Sequence, residues 1–267
     1  MKKYISFFKI RAAAQLQYRA AALAGIATQF AWGGMLLMLY NAFYRSTPQA
    51  MPMPYQQLSS YIWLQQALLV LFIAYRYDAD IVDSITSGGI AYDLIRPVDL
   101  YSMWFAKDVA VRLTGAFLRF APVIIFAFFL PEPYGLRLPE SAAVFVLFLA
   151  SLILGVLNTA AYMMLSYVAI FHTLSKSGVS AISVALTEFL SGQIIPLPFF
   201  PDRVRQVFEL LPFATMQNVP LRVYIGELQG GETVQAILLQ IFWLIVMTAA
   251  GRYFMGRITR RAVVQGG

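Results

Sequence analysis

The sequence holds few residues of the kinds that perform catalysis or bind metals. His172 is the only histidine and the chain has no cysteine, so no multi-histidine or thiolate site can hold zinc. The patterns G-x-x-x-x-G-K-[ST], H-E-x-x-H and G-x-S-x-G do not occur either. We therefore expect no enzymatic activity, no nucleotide bound through a P-loop, and no cofactor or metal bound by this chain.

Two charged residues within long apolar runs are the clearest chemical signal. Arg119 lies nine residues into the run that begins at Ala110, and Glu188 lies nine residues into the run that begins at Val179. A charge at mid-membrane depth costs at least about 2.5–3.5 kcal/mol on insertion scales. Either the two side chains form an ion pair, or each faces a wet cavity in which Glu188 attracts a cationic or amphipathic substrate.

A second polar stretch, which spans residues 76–101, separates two apolar runs and cannot lie in hydrocarbon. Its charged residues include Asp78, Asp80, Asp83, Asp93, Arg96 and Asp99. Apolar residues recur at helical spacing on both sides of a glycine pair, and they are Ile81, Ile85, Ile90 and Leu94. Gly88 and Gly89 permit a turn between two short helices, and Pro97 ends the second one. Such a helix either places its apolar side in a groove of a soluble partner or rests on the membrane surface.

The composition is that of an integral membrane protein. Of the 267 residues, 60% are hydrophobic and 12% are charged, against about 25% charged residues in average soluble domains. The net charge of +7 comes from basic residues that are divided among membrane-flanking segments. No basic face with interleaved aromatic residues is present, so the expected partner surface is the lipid bilayer and not nucleic acid.

Six apolar runs are long enough to cross a membrane, for which roughly 20 residues suffice. They cover residues 20–43, 58–74, 110–130, 142–171, 179–197 and 234–254. The predicted fold is an all-α integral membrane protein with six transmembrane helices, preceded by an interfacial helix over residues 1–19. Lys and Arg concentrate on the side of both termini, which places the termini and the segment of residues 76–101 in the cytoplasm.

An outer segment over residues 198–232 is predicted between the fifth and sixth spans. Prolines in and before it rule out one straight helix, and they are Pro196, Pro198, Pro201, Pro212 and Pro220. Apolar residues then recur on one helical face, and they are Val204, Val207, Phe208 and Leu211. We therefore expect a short amphipathic helix here, either re-entrant or on the outer leaflet.

Two motifs in these segments resemble those of the bacterial ABC-2-type permeases. The first is similar to the G-x-I-x-x-x-L-x-R-P-V-x-x-Y pattern of one subgroup, and its residues are Gly88 (or Gly89), Ile90, Leu94, Arg96, Pro97, Val98 and Tyr101. The second is similar to the G-x-x-x-P turn at the outer end of the fifth span, which Gly192 and Pro196 match. The resemblance covers nearly the whole chain.

The resemblance implies a permease subunit of an ATP-driven exporter in the bacterial cytoplasmic membrane. ATP and Mg would be bound by two separate ATPase subunits, and a second permease would pair with this one, as a heterodimer in preference to a homodimer. Contact with the ATPase would involve Ile85, Gly88, Gly89, Ile90, Asp93, Leu94, Arg96 and Pro97. The residues expected in the pathway or in an intramembrane pair are Gln65, Gln66, Arg119, Thr187, Glu188 and Gln193.

Two other functions are compatible with the sequence. A secondary transporter without an ATPase would require acid or base relays inside the membrane, for which only Arg119 and Glu188 qualify. A membrane assembly factor without transport activity is the third hypothesis. The substrate is left open by the sequence, since drugs, lipophilic cations, peptides and lipids all fit an apolar permease.

Overall fold

The computed structural model describes residues 19–47, 49, 51–90, 93, 98–117 and 119–260, with side chains from residue 24 onward. The helices in this part of the chain are α1 (Arg19–Ser46), α2 (Tyr55–Phe72), α3 (Ala79–Thr86), α4 (Leu100–Phe117), α5 (Phe120–Phe129), α6 (Ala142–Thr173), α7 (Lys176–Leu190), α8 (Asp202–Leu210), α9 (Asn218–Tyr224) and α10 (Gly230–Thr259). Nearly all of the predicted interfacial helix lies outside the described residues, as do Leu94, Arg96 and Pro97 of the predicted coupling motif.

Three segments of the described ranges are long and apolar enough to cross a membrane. They are Leu100–Phe129, Ala142–Thr173 and Gly230–Thr259, which correspond to the predicted third, fourth and sixth spans. The first begins earlier than predicted because Asp99 caps it: the Asp99 Oδ2 accepts a hydrogen bond from the Ser102 backbone N–H at 2.9 Å. Hydropathy does not register such a polar first turn.

The other predicted spans correspond to α1, α2 and α7. Helix α7 has 15 residues, which gives about 22 Å at 1.5 Å per residue against a hydrocarbon core of about 30 Å. The chain is therefore an all-helical membrane protein over its described residues, and the total of six spans stays a prediction.

Helix α2 lies at the centre of the bundle. Fourteen of its 18 residues are buried, so it faces protein on all sides, packed against α1, α4, α5, α6 and α9. Close approach to α1 depends on Gly33, because a Cβ there would lie 2.8 Å from the Trp63 ring. Small residues of this kind let membrane helices approach one another closely.

Helix α6 connects the two ends of the bundle and packs most extensively against α10. Polar contacts reinforce this interface, since the Ser151 hydroxyl donates to Gln240 Oε1 at 2.9 Å and the Asn158 amide donates to the Gln240 carbonyl at 3.0 Å. The Gln240 amide in turn donates to the Thr215 carbonyl at 2.8 Å. These hydrogen bonds fix α6, α10 and the segment before α9 as one unit.

Candidate functional site

Helix α3 is bounded by two local signals in the sequence. At its start, the Asp78 carboxylate accepts hydrogen bonds from the backbone N–H groups of Asp80 at 3.0 Å and Ile81 at 3.4 Å, which is the N-cap arrangement. At its end, Ser87 is followed by Gly88 with φ of +77°, a left-handed conformation that favours glycine. The glycine pair therefore ends the helix, as its position in the sequence predicts.

The apolar face of α3 is buried within this chain. Ile81, Ile85 and Ile90 are 2%, 4% and 6% exposed, and they belong to a core that also contains Trp104, Met163, Tyr167 and Ile170. This corrects one expectation: Ile85 and Ile90 do not present an apolar face to a soluble partner, because α4 and α6 already cover it.

The face of α3 that remains exposed is polar. Asp83, Thr86, Ser87 and Gly88 are exposed, and Gly89 and Asp93 are half-buried. A partner that contacts this segment therefore meets carboxylate and hydroxyl groups rather than isoleucines. Basic side chains complement such a surface electrostatically.

Aromatic residues join α3 to the long helices. The Asp78 backbone N–H donates to the Tyr167 hydroxyl at 2.9 Å, and the Tyr167 ring contacts both Tyr77 and Trp104 edge-on, at centroid distances of 5.7 and 5.6 Å. The Tyr77 and Ser183 hydroxyls lie 3.0 Å apart, which connects the start of α3 to α7. Burial raises the pKa of Tyr77 above its ordinary value, so this phenol stays protonated and keeps its hydrogen-bonding proton.

A buried arginine joins α4 to the end of α2. The Arg112 Nη1 donates to the carbonyls of Leu71 at 2.9 Å and Ile73 at 2.7 Å, and its Nε donates to Asp108 at 2.6 Å. The side chains of Arg112 and Asp108 are 4% and 8% exposed. We call this group the Arg112 junction. The (i, i+4) spacing of Asp108 and Arg112 is a signal in the sequence that could have identified the pair, whereas the two carbonyls could not have been foreseen.

A polar group surrounds the end of α7. The Tyr75 hydroxyl donates to Glu188 Oε1 at 2.8 Å, and the Gln65 amide donates to the Gln193 carbonyl. Three of the predicted pathway residues, Gln65, Glu188 and Gln193, thus lie along this junction between α2 and α7. Glu188 and Gln193 are partly exposed, whereas Gln65 is buried.

The remaining predicted pathway residues make other contacts. Gln66 and Thr187 are buried, at 5% and 2% exposure, and the Thr187 hydroxyl donates to the Ser183 carbonyl at 2.6 Å. The Arg119 guanidinium lies against α1, because a Cβ at Gly25 would be 2.6 Å from its Nη1. Neither this contact of Arg119 nor the hydrogen bond between Tyr75 and Glu188 is the ion pair that the sequence offered as one alternative.

Gly192 ends α7 at the turn that precedes Pro196. Its φ is +77°, the Ser191 N–H before it donates to the Thr187 carbonyl at 3.0 Å, and a 3₁₀ turn, Leu197–Phe199, follows Pro196. A Cβ at Gly192 would lie 3.3 Å from the Tyr61 hydroxyl of α2. The turn therefore both requires the left-handed conformation and packs closely on the central helix.

Arg222 holds the predicted outer segment together. This residue donates to Glu227 and, through Nη1, to Glu209 of α8 at 2.5 Å, and the Trp243 indole N–H donates to the Leu210 carbonyl at 2.9 Å. Burial lowers the pKa of Arg222, but the carboxylates raise it more, so the pKa lies above its ordinary value. A cleft of about 660 Å³ lies between α8, α9 and α10.

Within the described ranges, no group of three or more His, Asp or Glu side chains is arranged to hold a metal ion.

Residues 30–266 match the family described as ABC-2 family transporter protein. Because the match covers most of the chain, the protein belongs to this family, whose members are membrane-embedded permease subunits that normally work with ATPase subunits. No curated protein is similar enough to the chain to count as a match.

Proposed function

We propose that this member of the ABC-2 family is the permease subunit of an ATP-driven exporter in a bacterial cytoplasmic membrane. Six transmembrane helices, with both termini in the cytoplasm, would form one half of the pathway. A second and different permease would form the other half, and two ATPase subunits would bind ATP and Mg. The exported substrate would be amphipathic or hydrophobic.

The observation that carries this proposal is the way α3 is attached. Its apolar side is buried against α4 and α6, while Asp83 and Thr86 remain exposed. A short helix that is firmly packed on one side and polar on the other can transmit a displacement from a soluble partner into the long helices. A loosely attached loop would instead absorb that displacement.

Hydrogen bonds and ring contacts give this displacement a route. Movement of α3 acts on α6 through the hydrogen bond between Asp78 and Tyr167, and on α4 through the contact of Tyr167 with Trp104. The Arg112 junction connects α4 to the end of α2. ATP drives the switch only to the extent that it binds more tightly to one conformation of the complex than to the other.

The polar junction between α2 and α7 is the proposed part of the pathway. Glu188 is a partly exposed carboxylate that accepts a hydrogen bond from Tyr75, and it lies one turn before the Gly192 break. A carboxylate at this depth attracts a cationic group on an amphipathic substrate and repels an anionic one.

Reversing a charge on α3 tests the proposed function. In the assembled transporter, Asp83→Arg should reduce co-purification of the ATPase and lower transport per ATP hydrolysed, because a basic side chain replaces an exposed carboxylate. Asp202→Arg, at an exposed carboxylate of the outer helix α8, is the matched control and should leave both unchanged. Equal effects of the two substitutions would exclude α3 as the ATPase contact.

A further inference from the structure

We propose that the end of α10 that contains Arg252 carries a binding site for a phospholipid with a primary ammonium headgroup, of the phosphatidylethanolamine class. The site consists of an apolar groove, the cation Arg252 and a cleft that contains the Asp99 carboxylate, in that order along the helix. The site does not depend on contact with an ATPase and is separate from the proposed function.

The groove fits an acyl chain. It has a volume of about 530 Å³ between α4, α6 and α10, and its lining includes Phe105, Leu157, Leu244, Ile245 and Ala249. From Leu244 to Arg252 it extends about 12 Å, at 1.5 Å per residue. Ile245 is 62% exposed and Ala249 is exposed, so the described residues leave the groove open along the side of α10.

Arg252 is positioned at one end of this groove. Its guanidinium lies 5.4 Å from the centroid of the Tyr101 ring, a cation–π arrangement, and its Nη2 lies 3.4 Å from the Ser102 hydroxyl. A guanidinium has five N–H donors, so the described contact with Ser102 leaves donors that can bind a phosphate in the bidentate way that arginine favours.

A polar cleft of about 250 Å³ shares Arg252 with the groove. Its lining includes Asp93, Asp99, Gly256 and Thr259. Asp99 is exposed, and its Oδ2 accepts hydrogen bonds from the Ser102 backbone and hydroxyl at 2.9 and 2.6 Å. The Asp99 carboxylate therefore lines a cleft that continues along α10 from Arg252, away from the apolar groove.

This order of groups selects among phospholipid headgroups. The acyl chain fits the groove, the phosphate meets Arg252, and the terminal group of the head meets Asp99. A primary ammonium donates hydrogen bonds to carboxylates, whereas the methylated ammonium of phosphatidylcholine has no N–H to donate. The glycerol head of phosphatidylglycerol brings no positive charge to balance the Asp99 carboxylate.

Native mass spectrometry of the full-length chain, delipidated in detergent, tests the proposal. Phosphatidylethanolamine, phosphatidylglycerol and phosphatidylcholine with identical acyl chains are titrated separately. The intact protein should bind the ethanolamine lipid at least roughly fivefold more tightly than the other two, a difference in free energy of about 1 kcal/mol.

Two variants and one control locate the site. Ala249→Trp fills the groove from an exposed position and should abolish selective binding. Asp99→Asn keeps an N-cap residue for α4 but removes a charge, and should abolish the preference for ethanolamine over glycerol. Arg257→Gln, at an exposed position of the same helix outside the groove, should bind lipid like the unmodified chain.

Three outcomes would overturn the proposal. One is equal binding of the three lipids by the unmodified chain, and another is a preference that persists in both Ala249→Trp and Asp99→Asn. The third is dissociation of an oligomer by Ala249→Trp with unchanged lipid selectivity, which would make the groove a subunit interface. Circular dichroism verifies that each variant is folded. If Ala249→Trp does not fold, the lipid selectivity of Asp99→Asn alone tests the proposal.

Discussion

Removal of the Arg112 side chain should destabilise the transmembrane bundle more than loss of any exposed arginine. Arg112→Met deletes the hydrogen bonds to Leu71, Ile73 and Asp108, and it leaves the Asp108 carboxylate buried at 8% exposure. Breaking a buried ion pair by removing one partner costs about 3–5 kcal/mol. We therefore expect the free energy of unfolding to fall by about that amount.

The double variant separates the buried charge from the lost carbonyl contacts. In Arg112→Met/Asp108→Leu no carboxylate remains, so the loss reduces to two carbonyls without their donor, about 1–3 kcal/mol. The double variant should thus be more stable than Arg112→Met alone. Arg257→Met, at an exposed position on α10, is the control and should change stability by less than about 0.5 kcal/mol.

Unfolding of the purified chain by sodium dodecyl sulfate in mixed micelles, followed by circular dichroism, gives these free energies. A double-mutant cycle then yields the interaction between Arg112 and Asp108. A loss below about 1 kcal/mol for Arg112→Met would contradict the assigned burial, since an unpaired buried charge costs more. A double variant that is no more stable than Arg112→Met would show that the ion pair is not what the arginine stabilises.

Two further predictions concern packing and the pathway. Gly155→Ala should lower the free energy of unfolding by about 1–3 kcal/mol, because its Cβ would overlap the Met216 carbonyl oxygen. The control is Gly34→Ala, whose Cβ would meet nothing within 4 Å and which should be neutral or stabilising by up to about 1 kcal/mol. Equal effects of the two substitutions in the same unfolding assay would refute this packing. Tyr75→Phe, which deletes the hydrogen bond to Glu188, should shift the apparent affinity for a cationic substrate in a transport assay. Glu188→Gln should lower the preference for cationic over neutral substrates. Transport by Glu188→Gln with an unchanged preference would exclude Glu188 from the pathway.

The sequence predicted the features that depend on local chemistry. The all-helical membrane character and the family are confirmed, and the structure ends α3 and α7 next to Gly88 and Gly192, where a left-handed residue is required. The helical spacing of Ile81 and Ile85 predicted an apolar face for α3, and the structure buries this face within the chain. It could not indicate what covers that face, because periodicity carries no information on the partner.

The contacts that depend on the rotation of one helix against another were not predictable. Hydropathy gives the depth of Arg119 and Glu188 in their apolar runs, but not the direction in which either side chain points. The structure accordingly places Glu188 against Tyr75 and Arg119 against Gly25. The carbonyls that bind Arg112 lie about 40 residues away along the chain. The spacing of side-chain types cannot indicate which backbone carbonyls accept these hydrogen bonds.

Labelling of single cysteines tests the central claim that the exposed face of α3 is the cytoplasmic contact for the ATPase. Because the natural chain has no cysteine, Thr86→Cys on α3 and Asp202→Cys on α8 each introduce one exposed thiol. With a membrane-impermeant thiol reagent, Thr86→Cys should react only in inside-out vesicles and should be protected when the ATPase is bound, whereas Asp202→Cys should react in intact cells. Labelling of Thr86→Cys from outside the cell, or at the same rate with and without the ATPase, would contradict the account.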